Sequence, residues 1–337
     1  MNKAEFPEGS DDLDDSFEAN LSIFDEGEED TSDDADEVLL PPDTGCELAI
    51  RPMLEAQCAV NERFVRSALQ NLPDDVLADY TAAASEALSM DVAPTREQFL
   101  EAFDEMGWAF VAAESSIIDY VPAIVDEVTE LMRSNQGWKF WKSPRPPVDR
   151  TNQLVELVDI LHFLMSHTLA CTHTAIQVES SEDDGAELAR IPDSALISRA
   201  ANTIAIAFAY EKEFFEDPAR LSGNLLASKD ATITFLNRVT LTECQDDPDC
   251  QIDTWRAFWQ MVFAYGFTLA NLERVYVAKV ALNHFRISNG DAAGNYRRVW
   301  SDGREDNAHL MDYVMNSDDD LDQVGVLSFL TAAYESN

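Results

Sequence analysis

The chain has 337 residues, 46% of them apolar, enough for one large core or two small ones. Its 64 acidic against 23 basic residues give a formal net charge of -41. That balance excludes a generic binder of nucleic-acid backbones, which needs Lys and Arg against phosphates, and it excludes adhesion to an anionic membrane.

Residues 1–40 hold 16 acidic residues and one Lys, net -15, which leaves -26 for the remainder. High charge with few core-forming residues predicts a disordered acidic tail over 1–44, a solubilising segment or a docking arm for a basic partner. The body, 45–337, is expected to be all-α. CELAIRPMLEAQCAVNERFVRSAL reads as a helix from about residue 51. PTREQFLEAFDEMGWAFVAAESSIIDYV reads as another, opened by a Thr95 cap with Glu97 and Gln98 downstream. A third runs from about Pro122 to Ser134, and the Pro-rich GWKFWKSPRPPVDRT loop leads into a buried helix at 152–170. ESSEDDGAE is a polar loop, and IPDSALISRAANTIAIAFAYEKEFFED a helix capped near Asp193 or Ser194. The β-branched residues of DATITFLNRVTLTECQDDPDC suggest a short strand. One long helix is expected from the Asp253 cap to Asn289-Gly290. There is no internal repeat, no GxGxxG after a strand and no P-loop.

Five cysteines without a CxxC motif are assigned to packing in a reducing cytoplasm. No basic segment followed by an apolar one opens the sequence, and no uninterrupted apolar run of about 18 residues occurs, so no membrane association is expected. His162, His167 and His173 are spaced by five and six residues, which does not put them on one helix face for zinc.

The carboxylates are the most informative feature. Glu127 with Glu130, and Glu156 with Asp159, are i, i+3 neighbours on two predicted helices. The second helix is apolar nearly all round, so Glu156 and Asp159 share a narrow stripe with Phe163 on a buried element. Burying unpaired carboxylates costs several kcal/mol, so positive charge must face them. Oxygen-only ligands suit a hard divalent ion, Mg²⁺ above all.

Lys279, Asn283 and Arg286 fall on one face of the long helix and fit a polyanion such as a triphosphate. In WKFWK, Trp138, Lys139, Trp141 and Lys142 alternate aromatics and cations, a pattern able to stack a base and touch phosphates. No Ser/His/Asp arrangement can be read from spacing, so metal-activated water is the expected nucleophile.

In this order, MLEAQCAVN, EVTEL with WKFWK, ELVDILHF and YVAKVALNHFRISNGDAAGNYRRVWSDGREDN resemble the dimeric all-α dUTP diphosphatases, a group that includes phage members and belongs to the all-α nucleoside triphosphate pyrophosphatases. The resemblance spans about 50–310, with 175–250 outside its motifs as a family-atypical insertion. It implies a helical bundle and Glu127, Glu130, Glu156 and Asp159 as Mg²⁺ ligands. It further implies Gln57, Asn61, Trp138, His162 and Phe163 at the nucleoside pocket, and Lys279, Asn283, Arg286 and the Gly290–Tyr296 loop at the phosphate end. The implied reaction is hydrolysis of dUTP to dUMP and pyrophosphate by a homodimer, in the host cytoplasm if the source is a phage. The chain departs from the family at Asp291, where an aromatic is usual, and at Arg297 after Tyr296, where Lys is frequent. dCTP or a modified pyrimidine is the alternative substrate. A non-enzymatic acidic interaction protein is the reading from another class.

Overall fold

A helix whose apolar residues surround it must be enclosed, and α5 (Arg150–Ser181) is the element the others pack around. The computed structural model describes residues 46–74, 95–114, 119–134, 139, 141, 143, 147–181, 190–215, 225–240, 248–291, 294–317 and 321–336. The expected acidic tail and the polar ESSEDDGAE stretch beyond Ser181 lie outside them.

Among the described residues the secondary structure is eleven α-helices and one isolated antiparallel bridge, Val299 to Glu305. Beside α5 these are α1 (Cys46–Asn71), α2 (Arg96–Met106), α3 (Trp108–Glu114), α4 (Tyr120–Ser134), α6 (Asp193–Phe215), α7 (Leu225–Val239), α8 (Pro248–Ala264), α9 (Leu269–Ser288), α10 (Asp306–Asn316) and α11 (Gln323–Ser336). The all-α expectation holds. α5 touches α1, α3, α4, α6 and α9, and buries Leu157, Val158, Ile160, Leu161, Leu164 and Met165 completely. By length and composition Arg150–Ser180 could cross a membrane, but 83% of that apolar stretch is buried inside the fold, which makes it a core helix.

Several boundaries differ from the sequence reading. The helix opened by Thr95 has the expected capping box with Gln98 but stops at Gly107, whose φ of 90° lies in the left-handed region, and restarts as α3. The single long helix expected after Asp253 is two. α8 already begins at Pro248 and ends where Gly266, φ 77°, donates to the Phe263 carbonyl while the Phe267 amide donates to Val262, a Schellman close. Thr268 then caps α9, its side chain accepting from the Asn271 amide. The expected strand in DATITFLNRV is α7 instead. Its β-branched residues are accommodated because Thr232 and Thr234 return hydrogen bonds to the carbonyls four residues back, and packing on α8 outweighs strand propensity.

α6, α7 and α8 close over an aromatic cluster of Phe208, Phe235, Trp255, Phe258 and Trp259. Trp255 donates its indole N–H to Thr168 on α5 at 2.9 Å, which ties this layer to the central helix. Cys46 and Cys58 are free and buried, but Cys250 is disulfide-bonded, so packing alone is not its role. A covalent link depends on how the chain returns on itself, and spacing alone carries no such information.

Candidate active site

α4 lies along α5 and brings the two carboxylate stripes together. Ligand oxygens of Glu127, Glu130 and Glu156 lie within 4.8 Å of one another. Glu156 is buried, Glu127 half-buried and Glu130 at the exposed rim. Asn152, one turn before Glu156, donates to its Oε1 at 2.9 Å. Burial pushes the Glu127 carboxyl up to about 8, and the charges of Asp159 and Glu156 add to the shift. Burial likewise raises Glu156 to about 7, helped by Asp159 and Glu130, while Lys279 opposes both shifts. Three acidic groups held this close repel one another when ionised. The trio is an oxygen-only donor set able to hold a hard cation.

Asp159 lies beside that trio, close enough for its charge to act on both Glu127 and Glu156. Its Oδ2 takes a hydrogen bond from Lys279 Nζ at 2.8 Å, and the ammonium also donates to Asn307 Oδ1 at 3.0 Å. Lys279 is 2% exposed, so the cation expected to meet a triphosphate is spent on a neighbouring carboxylate. Arg286 is also engaged: it grips Asp306 through two bonds of 2.8 Å, and Tyr296 donates its hydroxyl to the same carboxylate at 2.9 Å. Of the expected phosphate stripe, Asn283 alone makes no side-chain hydrogen bond within the described residues. Asp291 is neutralised by Arg298, and Arg297 is exposed, its guanidinium 5.5 Å from the Tyr334 ring centroid.

Of the aromatic loop, Lys139 is half-buried and Trp141 is 59% exposed, whereas Trp138 and Lys142 lie outside the described residues. Phe163 packs partly buried against the core.

One turn and more beyond Glu156, α5 meets α1 and α9 at a buried polar network. Gln57 Nε2 donates to Asn61 Oδ1 and to Ser166 Oγ, both at 2.9 Å. Gln57 Oε1 receives the Tyr276 hydroxyl at 2.9 Å and lies 2.7 Å from His162 Nδ1, so that ring nitrogen carries the proton. Burial holds His162 down to about 3, with the nearby Lys279 charge adding to the effect, and the ring is neutral. Two polar atoms remain without partners: Asn61 Nδ2 and His162 Nε2. Both residues are 5% exposed. Other buried side-chain atoms elsewhere among the described residues also lack partners, but these two face each other's network through Gln57, one as a donor and one as an acceptor.

The sequence reading overlooked Asn152, Ser166, Tyr276, Asp306 and Asn307. The hydroxyls and amides among them carry no periodic signal, and Asp306 with Asn307 reaches the site only because α10 folds back on α9.

No curated protein sequence matches the chain significantly. The sequence model of the dUTPase family matches residues 107–290, a span that includes both acidic helices, α9 and the whole of 175–250. That covers more than half of the chain, and the protein belongs to the dUTPase family.

Proposed function

We propose that the protein hydrolyses dUTP to dUMP and pyrophosphate with Mg²⁺ held by Glu127, Glu130 and Glu156. The observation that carries this reading is the convergence of three carboxylates on two helices inside the segment that matches the dUTPase family. The donor set fits a hard cation, since every donor is oxygen and three carboxylates are gathered within 4.8 Å. When bound, Mg²⁺ would neutralise phosphate oxygens and acidify a coordinated water.

The chain's own side chains do the rest. Asn152 fixes the orientation of Glu156, and Lys279 fixes that of Asp159 beside the cluster. Asp159 is proposed as a fourth ligand through Oδ1, its Oδ2 being held by Lys279. Asn283 is offered as the direct phosphate contact, with Lys279 and Arg286 contributing positive field from behind rather than bonds. Asn61 Nδ2 and His162 Nε2 are offered as the groups that meet the pyrimidine, because a buried donor and a buried acceptor without partners are what a base edge would satisfy. Trp141, 59% exposed on the loop before α5, is proposed as a stacking surface for the base.

The reading extends to a homodimer acting in a cytoplasm, on the strength of the sequence resemblance, and light scattering tests the oligomer. The enzymatic claim is tested by steady-state hydrolysis of dUTP, dCTP, dTTP and dATP with and without EDTA, with pyrophosphate release as readout. Turnover of dUTP abolished by EDTA is expected. Absence of turnover on all four nucleotides sinks the reading.

A further inference from the structure

Gln57 sits between the two orphaned atoms and touches the residues that bear both. Its carboxamide has one donor end and one acceptor end, and in this structure the donor end faces Asn61 and Ser166 while the acceptor end faces His162 and Tyr276. The consequence is forced by hydrogen-bond arithmetic. Because Asn61 must accept, its Nδ2 is turned outward as a donor; because His162 must donate from Nδ1, its Nε2 is left as an acceptor.

The same cage is satisfied with every polarity reversed. Rotating the Gln57 amide by half a turn presents Nε2 to His162 and Tyr276, and Oε1 to Asn61 and Ser166. Tyr276 then donates to the Met53 carbonyl, which already lies 2.8 Å from its hydroxyl. Ser166 has the His162 carbonyl at 2.9 Å as an alternative acceptor. Asn61 turns its oxygen outward. The imidazole loses its proton from Nδ1 and takes one at Nε2, so its net protonation does not change. Both arrangements match every hydrogen bond inside the cage and leave only the outward-facing atoms of Asn61 and His162 for a ligand, whereas mixed arrangements set donor against donor or acceptor against acceptor inside it.

We propose that Gln57 is a specificity-positioning residue: it couples the Asn61 amide and the His162 tautomer into a single two-state reader, of which one state matches the 3,4-edge of uracil and the other that of cytosine. Uracil offers an N–H donor at position 3 and a carbonyl acceptor at position 4; cytosine offers an acceptor at 3 and an amino donor at 4. Whichever of the two side chains faces which position, one polarity fits uracil and the opposite polarity fits cytosine. A pocket that inverts as a unit therefore accepts either pyrimidine at the cost of reorienting Gln57, and rejects the one that does not match its current state. This inference rests on the reading that Asn61 and His162 meet the base of a deoxynucleoside triphosphate.

The test compares kcat/KM for dUTP and dCTP in the wild type, Gln57→Glu and Gln57→Met. The carboxylate introduced by Gln57→Glu has only acceptors, so it turns the Asn61 oxygen outward and, by pairing with a doubly protonated His162, turns an Nε2–H outward as well, the polarity that fits one base alone; Gln57→Met removes the coupling altogether. The expected results are a dUTP-to-dCTP ratio moved by about tenfold or more in Gln57→Glu and brought to within about threefold of unity in Gln57→Met. Equal losses on both substrates with the ratio unchanged would overturn the proposal, because a merely structural glutamine predicts that pattern. Should neither variant fold, two-bond proton–nitrogen spectra of His162 in the wild type, loaded with non-hydrolysable dUTP and dCTP analogues, decide the matter. The proton is expected on Nδ1 with one analogue and on Nε2 with the other, and the same tautomer with both overturns the coupling. A wild type that turns over no nucleotide is a failure of the functional reading itself, visible before any variant is made, and the coupling falls with it.

Discussion

Lys279 Nζ lies 2.8 Å from Asp159 Oδ2, the lysine buried and the aspartate half-buried beside the three-carboxylate cluster. A chain carrying -41 charges places one of its few ammonium groups inside its own core rather than on its surface. Removing Lys279 strands Asp159 among like charges. Lys279→Met is expected to lower the unfolding free energy by about 3–5 kcal/mol, and adding Asp159→Asn to recover part of it, because the uncompensated charge is then gone. Urea titrations of the two single variants and the double variant measure this.

Glu156→Gln keeps the hydrogen bond from Asn152 and nearly the same volume but weakens the grip on a cation. Since a catalytic metal is worth several kcal/mol, dUTP turnover should fall by about a hundredfold or more with the fold intact by circular dichroism. Full activity in this variant removes the metal-site argument.

The pH dependence of stability follows from the same cluster. Glu127 at about 8 and Glu156 at about 7 bind protons more tightly in the fold than in the unfolded chain, where 4.5 is ordinary. The native state therefore loses stability as pH rises from about 4.5 through 8 when no cation is present. Melting curves in EDTA at pH 5 and pH 8 should show this fall. Mg²⁺ should raise the melting temperature more at the higher pH, and Glu127→Gln should flatten the slope.

Asp306 gives the opposite sign. Burial works to raise its carboxyl, but the bonds from Arg286 and Tyr296 outweigh that and hold it below 3.8. Its contribution is present above that value and lost as pH falls through the depressed one. Acid titration of Asp306→Asn should lack this step, and at neutral pH the variant should be destabilised by about 3 kcal/mol, the cost of breaking a buried ion pair.

The fold and half of the site could be read from side-chain periodicity. The buried character of α5 and the i, i+3 pairs on α4 and α5 depend only on helical geometry, so Glu127, Glu130 and Glu156 were identifiable as a group. What periodicity misses is pairing between distant segments. Nothing local says that Lys279 turns toward Asp159, 120 residues away, or that Asp306 takes Arg286. The strand expected at DATITF failed for a related reason: β-branched residues prefer a pleated surface only when one is offered, and here the available partner is a helix rich in Trp and Phe. The break at Gly266 was legible in YGFT as a C-cap glycine followed by a capping threonine.

Glu156 and His162 are mounted on one unbroken helical rod, six residues apart. At about 1.5 Å of rise per residue they stand about 9 Å apart along its axis. On the proposed reading, the end of a nucleotide that reacts and the end that is recognised are gauged against the same rigid scale, with no hinge between the two marks. Inserting or deleting a single residue in that interval would swing one mark about 100° round the rod and leave each half intact but unable to engage one molecule together.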